Sequence, residues 1–154
     1  MPEKKRVVKK SSSSGATKDA RKMRVSDLII TDEFKIIEMD ANGKAAAQKL
    51  MGIPRGVVLV IDSDGKAKGV ITAREFLKKI VDGDNPVSLD VDRLMNKDIM
   101  EIKYTALLDS VVPQVTQRDP YAVVVIDDAG KFKGYFSPKD YQEALARINY
   151  VQPK

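Results

Sequence analysis

Two continuous apolar runs dominate the pattern of the chain, residues 57–61 (VVLVI) and 122–126 (AVVVI). Each is five residues of β-branched, Leu or Ala side chains without a polar interruption, the pattern of a strand buried on both faces. A polar turn follows each run, Asp62-Ser63-Asp64-Gly65-Lys66 and Asp127-Asp128-Ala129-Gly130-Lys131. In both, a glycine supplies the left-handed position that a tight hairpin requires. A second short strand comes next, through Val70-Ile71 in one case and over residues 132–136 in the other. A helix then opens at Thr72 and at Ser137. Residues 57–77 and 121–141 thus read as the same unit. A shift of 65 places Val60 on Val125, Asp62 on Asp127, Gly65 on Gly130, Lys66 on Lys131, Gly69 on Gly134 and Thr72 on Ser137. Such self-similarity is the mark of an internal duplication.

The remaining periodicity completes two copies. Residues 25–29 form a short helical turn with Ser26 at its N-cap, and residues 34–39 form a strand. Asp40-Ala41-Asn42-Gly43 opens a helix over 44–51, which Gly52-Ile53-Pro54 ends. The helix begun at Thr72 runs to Val81, with Phe76, Leu77, Ile80 and Val81 on one face. After a short linker at 82–86, residues 91–95 match the turn at 25–29 and residues 99–104 form the strand. Thr105 is expected to cap a helix with Leu107, Leu108, Val111, Val112 and Val115 inward, and Pro113 to kink or split it. The last helix spans 138–148, with Tyr141, Ala144, Leu145 and Ile148 as its apolar face. Each half therefore reads strand, helix, strand, strand, helix. The fold class is mixed α/β (α+β), built of two β-α-β-β-α repeats at 23–84 and 85–148, with tails at 1–22 and 149–154. The linker is too short for the halves to tumble apart.

Charge and composition narrow the chemistry. The net charge of +5 is unevenly placed: residues 1–24 carry nine Lys and Arg against Glu3 and Asp19, and the remaining 130 residues carry 18 basic and 20 acidic groups. The repeats are slightly acidic and the basic character lies in the Lys- and Ser-rich tail, which has too few apolar residues to fold. That tail reads either as an electrostatic contact for nucleic acid or an acidic partner, or as a plain solubilising segment. Cysteine and histidine are both absent. This excludes disulfides, thiol catalysis and the commonest metal ligands and general base. No apolar run is long enough to span a membrane, and no apolar segment follows the basic start as in a secretory signal. A cytoplasmic location is expected, without a membrane partner.

In their order, spacing and repetition, these residues resemble the CBS-domain family in its tandem form, the Bateman module. The resemblance covers residues 23–148. It rests on Val25-Ser26-Asp27-Leu28-Ile29, on residues 40–51, and on residues 58–66 leading into Gly69-Val70-Ile71-Thr72. In the second copy it rests on residues 123–127, Gly130-Lys131 and residues 134–140. It implies two repeats packed sheet to sheet, adenosine-containing ligands in clefts between them, and dimers built from exposed helix faces.

The family's ribose-phosphate signature, Gly-x-x-Ser/Thr-x-x-Asp, reads Gly134, Ser137, Asp140 in the second copy. A hydroxyl and free N–H groups at a helix start suit a phosphate, and a carboxylate one turn on can accept two bonds from a ribose diol. Gly134 would let a ligand approach the strand, and Lys139 or Arg118 would neutralise phosphate charge. By resemblance the adenine lies against Asp98-Ile99-Met100 and Tyr121-Ala122. In the first copy the signature reads Gly69, Thr72, Glu75. There Glu75 is expected to fold back onto the Thr72 N–H as a capping box, leaving a weaker site. Arg55 and Arg74 would stand on its phosphate side, with Thr31, Asp32, Phe34, Gly56 and Val57 around it. On this reading Asp140→Ala abolishes nucleotide binding and Glu75→Ala barely changes it.

Plainer readings stand beside these. Ser137-x-x-Asp140 is also a helix cap, and that role competes with ligand binding for Asp140. The acidic stretches at 62–65 and 82–85 read as turns rather than calcium loops. Met95 and Met100 read as core filler. Tyr104, Tyr121, Tyr135 and Tyr141 are candidates to stack on a base, but most are expected instead to pack with their hydroxyls at the surface. The function expected is a non-catalytic regulatory module. Its ligand would be an adenosine nucleotide or S-adenosylmethionine, with no catalytic cofactor, and it would signal to its own homodimer or to another protein. A scaffold with empty clefts and a nucleic-acid binder using the tail are the alternatives.

Overall fold

The computed structural model describes residues 23–148, so the two expected tails lie outside the described residues. The first repeat comprises β1 (Phe34–Glu38), α1 (Gly43–Met51), β2 (Val57–Ile61), β3 (Ala67–Ile71) and α2 (Ala73–Val81). A short helix, α3 (Val91–Leu94), follows the linker. The second repeat comprises β4 (Ile99–Lys103), α4 (Leu108–Arg118), β5 (Ala122–Ile126), β6 (Phe132–Phe136) and α5 (Pro138–Ile148). The duplication is thus structural as well as sequential.

Each repeat builds one three-stranded sheet, ordered β1-β2-β3 and β4-β5-β6. The apolar strand is central in both, parallel to the strand before it and antiparallel to the strand after it. The hairpin turns are alike in detail. Gly65 and Gly130 have φ of 81° and 82°. The Asp62 carboxylate accepts from the Asp64 and Lys66 N–H groups, and Asp127 does the same for Ala129 and Lys131, all at 2.9 Å. These carboxylates are turn-builders, as a side chain that mimics a backbone turn should be.

The two sheets face each other across a core of Leu59, Val70, Val124 and Tyr135, among others. Phe34 and Phe132 meet edge to face there, with centroids 5.3 Å apart. Each sheet's outer face carries its own helices. Val58, Val60 and Ile71 pack with Ala46 of α1, and Val123, Val125 and Phe136 pack with Leu108, Val112 and Ala144 of α4 and α5.

The segment before each first strand crosses to the other repeat. Met23, Val25, Leu28 and Ile30 enter the outer core of the second repeat, and Val91 and Leu94 enter that of the first. The Tyr135 N–H donates to the Ile30 carbonyl at 2.9 Å. Val70 and Asn96 exchange both backbone bonds, at 2.9 and 2.8 Å. The exchange ties the halves together through backbone pairing and apolar burial.

Several local expectations are corrected. Arg24, not Ser26, occupies the N-cap of the 3-10 turn Val25–Asp27, where the Asp27 carboxylate accepts the Arg24 N–H at 2.8 Å. Thr105 does not cap α4. Leu107 holds the N-cap position without a side-chain bond, and Thr105 lies in the preceding turn. Pro113 neither splits nor ends α4, which runs unbroken past it. The apolar face of α2 is not buried: Phe76 packs on the first core, but Leu77, Ile80 and Val81 are 61%, 57% and 85% exposed. No helix of the described residues is long and apolar enough to cross a membrane.

Candidate functional site

The two candidate sites begin where β3 and β6 run into helices. At α2 the Thr72 N–H and hydroxyl both donate to Glu75 Oε1 at 2.7 Å, and the Arg74 N–H donates to Thr72 Oγ1 at 3.2 Å. At α5 the Ser137 N–H and hydroxyl donate to Asp140 Oδ2 at 2.9 and 3.0 Å, and Ser137 Oγ accepts from the Asp140 N–H at 3.1 Å. The contrast expected between the repeats is therefore not seen in the structure, because both carboxylates turn back into their own helix start. Asp and Glu both reach, since the backbone N–H three residues earlier lies within one side-chain length. Burial pushes the Asp140 carboxyl above its ordinary range; the Ser137 bonds oppose this, and Asp32 and Glu33 add to it. Burial, then Glu33 and Asp140, push the Tyr135 phenol up to about 12.

Beside the start of α5 lies a cavity of about 360 Å³, walled by the end of α4, the start of β5, the end of β6 and the first turn of α5. Val115, Ala122 and Phe136 give it apolar walls, and Thr116, Tyr121, Ser137 and Tyr141 bring polar tips to it. The Thr116 and Tyr141 hydroxyls bond each other, and Tyr121 Oη lies 3.0 Å from Thr72 Oγ1 of the first repeat. Tyr121 thus touches the cavity of one repeat and the capping box of the other. These two hydroxyls are partnered rather than free at the surface, and Tyr135 is buried outright.

Of the residues expected around the second site, Tyr121, Ala122 and Ser137 line this cavity. Ile99, Met100 and Arg118 border a separate open groove with Ala67, Lys68 and Glu101. Arg118 is held by Asp98 at 3.6 Å and by the Ile99 carbonyl at 3.3 Å, and Asp98 also accepts the Tyr121 N–H. Lys139 pairs with Glu33 at 3.8 Å. Gly134 does not open the strand to a ligand: a β-carbon there would lie 2.4 Å from the Ile30 carbonyl. The bare strand admits the crossed segment instead.

Around the first site, Phe34 and Val57 belong to the core between the sheets. Gly56 is pressed against the Glu33 carbonyl, 2.4 Å from where its β-carbon would be. Asp32 is not at the first site. It acts electrostatically on Asp140, and its Oδ1 is buried with no partner. Thr31, Arg55 and Arg74 are exposed.

The model of the CBS domain matches twice, at residues 25–82 and 89–147. The chain belongs to the CBS-domain family. Pairs of this kind are generally regulatory, non-catalytic modules. This CBS pair is 23% identical over 124 residues to a 17.7 kDa protein from the bps2 3′ region of Acidianus ambivalens, covering 80% of this chain and 74% of that one. Among solved structures it is similar to a CBS domain pair/ACT domain protein from Thermotoga maritima, with 18% identity, coverage of 80% and 97%, and a TM-score of 0.63. It is also similar to the cytosolic domain of the Mg2+ channel MgtE, solved in complex with ATP, with 19% identity, coverage of 75% and 46%, and a TM-score of 0.60. At such identities the likeness shows the fold alone.

The CBS pair also places residues at the cavity that the sequence reading did not select: Val115, Thr116, Asp119, Pro120, Val123, Phe136 and Pro138. The signal for Val115, Val123 and Phe136 was the apolar pattern itself. It marks a buried side chain without saying whether the neighbour is protein or empty space.

Proposed function

We propose that this CBS pair is a non-catalytic sensor that takes an adenosine-containing molecule in the cavity beside α5. The observation that carries the reading is the cavity itself, whose apolar walls and few polar tips are the usual make-up of a small-molecule site. Its volume of about 360 Å³ lies at the small end of such sites, suited to a base and its sugar rather than to a whole dinucleotide. Val115, Ala122 and Phe136 would take the ring faces, with Tyr121 and Tyr141 flanking. At the start of α5 the Ser137, Asp140 and Tyr141 N–H groups are already bonded within the cap and Pro138 has none, so the Lys139 N–H is the donor left for a polar substituent. The ATP bound by the MgtE cytosolic domain supports an adenosine ligand for a module of this fold. The signal would pass through Tyr121, because a ligand that moves its ring alters the bond to Thr72 and so favours one arrangement of the repeats.

The responder nearest to hand is a second copy of the chain, since the exposed Leu77, Ile80 and Val81 on α2 are an apolar face of the kind that mediates association. The test is thermal denaturation with adenosine, AMP, ATP or S-adenosylmethionine at millimolar concentration. A ligand at about 100 times its dissociation constant stabilises the native state by about 2.7 kcal/mol, so at least one of the four should raise the midpoint by several degrees. No shift with any of them would leave a duplicated scaffold.

A further inference from the structure

We infer that an apolar trough on the first repeat, where β1 meets α1, is a docking groove for residues 4–10 of the same chain. Two adjoining hollows of about 490 Å³ each form it, and both are bordered by Glu38, Ile61 and Asp62. Ile36, Ala41, Ala45 and Ile61 give it an apolar lining, and Ile36 is 50% exposed although it is a strand residue. A concave apolar strip that the fold leaves bare is a place for a partner. β1 also stands at the edge of its sheet, paired with β2 alone, so an extended segment can lie along it.

The rim decides the kind of partner. Glu38 and Asp40 are exposed at the end of β1, and Asp62 borders the same space with its Oδ1 taken up by the hairpin turn. Among the described residues, none of the three is in an ion pair, although Lys66 and Lys68 act on Asp62 from the hairpin side. Lys49 is the one cation among the lining residues. The duplication shows that this character is particular to the first repeat. Glu101, Lys103 and Thr105 stand in the second repeat where the first has Ile36, Glu38 and Asp40, and Lys103 is paired with Asp128. An apolar groove with an acidic rim is complementary to a basic segment with an apolar centre.

Residues 4–10, KKRVVKK, are such a segment. Val7 and Val8 are the only Val, Leu, Ile or Phe among the first 22 residues, and Lys4, Lys5, Arg6, Lys9 and Lys10 flank them. The chain enters the fold on the groove's own side. The Met23 carbonyl accepts from the Leu108 N–H at 2.7 Å, and the Ser26 N–H donates to the Tyr104 carbonyl at 3.0 Å, just past β4. The Tyr104 N–H donates in turn to Ile126 at 2.8 Å, where the hairpin 127–131 begins. The Phe132 N–H, just past that hairpin, donates to the Gly65 carbonyl at 2.9 Å, in the hairpin that borders the groove. Residues 11–22 lie between, and 12 residues span up to about 40 Å when extended, about the width of a domain of this size. The covalent connection holds the segment near the groove at high effective concentration, so contacts that are weak one by one suffice.

The test uses the absence of cysteine. Ser12→Cys gives the full chain a single thiol for a nitroxide spin label, and the paramagnetic broadening of its backbone amides is read by nuclear magnetic resonance. The amides of Ala41, Ala45 and Ile61 should broaden more than those of Ala106, Ser110 and Ile126, their counterparts in the second repeat, although Ala106 lies where the chain enters the fold. The exposed pair Glu38→Lys/Asp40→Lys should lower the ratio of docked to free segment by at least about threefold, as two exposed ion pairs are lost together. Val7→Asp/Val8→Asp, which alters no residue of the core, should lower it as well, because carboxylates then face an acidic rim. Three results would overturn the proposal: equal broadening in the two repeats; broadening at the groove that is indifferent to both double variants; or broadening of the same strength in an isotope-labelled wild-type chain mixed with the spin-labelled one, which would mean that the segment docks on a second copy.

Discussion

Gly69 and Gly134 stand at matching places in β3 and β6, and the structure makes the same demand on both. A β-carbon at Gly134 would lie 2.4 Å from the Ile30 backbone carbonyl, and one at Gly69 would lie 2.9 Å from the Asn96 backbone carbonyl and 2.6 Å from the Met95 side chain. Gly134→Ala and Gly69→Ala should therefore each cost about 1–3 kcal/mol, as overpacking does, by chemical denaturation of each variant. The hairpin carboxylates carry a pH signature. Asp62 and Asp127 are held below their ordinary value of 3.8, first by the N–H groups of Lys66 and Lys131. A depressed folded value means that the stabilisation is complete above the ordinary range and lost as pH falls through the depressed one. The midpoint of the wild type should thus drop more steeply below about pH 4 than that of the Asp62→Asn/Asp127→Asn double variant, whose amides keep the turn oxygens without titrating. Parallel curves would count against this account of the turns. At this scale the sequence disclosed residue types better than partners. The glycine of the signature was legible, but the neighbour that requires it comes from 104 positions away in the chain, as Ile30 to Gly134. Asp140 was legible as a helix-start carboxylate, and its choice between cap and ligand depended on geometry that spacing leaves open.

Among the elements, the strands and both hairpins were plain from the two apolar runs and their glycines, because buried central strands and left-handed turn positions leave strong local marks. The start of α4 was not, because no cap residue marks it: Leu107 is held instead by an isolated bridge to Arg24. The crossing of the segments 23–30 and 91–96 was hidden for a different reason. Both repeats carry the same pattern, so an apolar turn fits either sheet and only the tertiary structure decides. The same ambiguity concealed α2, whose periodic face reads as core but is largely exposed. If that face joins two copies, Ile80→Glu should convert a dimer to a monomer in sedimentation equilibrium while leaving the helix content intact, since a charge in an apolar interface is left unpaired. An unchanged mass for the variant would remove α2 from the interface. Tyr121 is the link between repeats at this scale. Tyr121→Phe removes one hydroxyl from the pair with Thr72, and a loss of about 0.5–1.5 kcal/mol in stability is expected.

Taken whole, the molecule is two copies of one unit whose likeness fixes the fold and whose differences carry the chemistry. The shared part, including capping boxes and hairpins, was legible as a repeat, although the crossing of its segments was not. The differing part is where the cavity opens in the second repeat and where carboxylates rim an apolar trough on the first, and neither follows from composition or spacing. The central claim is that the cavity beside α5 receives an adenosine-containing ligand, and a cavity-filling variant addresses it most directly. Thr116 lines that space and is half-buried, so Thr116→Phe places a ring where the base would lie. In calorimetric titrations with adenosine, AMP, ATP and S-adenosylmethionine, the wild type should bind at least one of them with one site per chain, and Thr116→Phe should lose that binding by at least about tenfold, or about 1.4 kcal/mol. Undiminished binding by the filled variant, or no heat with any of the four in the wild type, would contradict the claim.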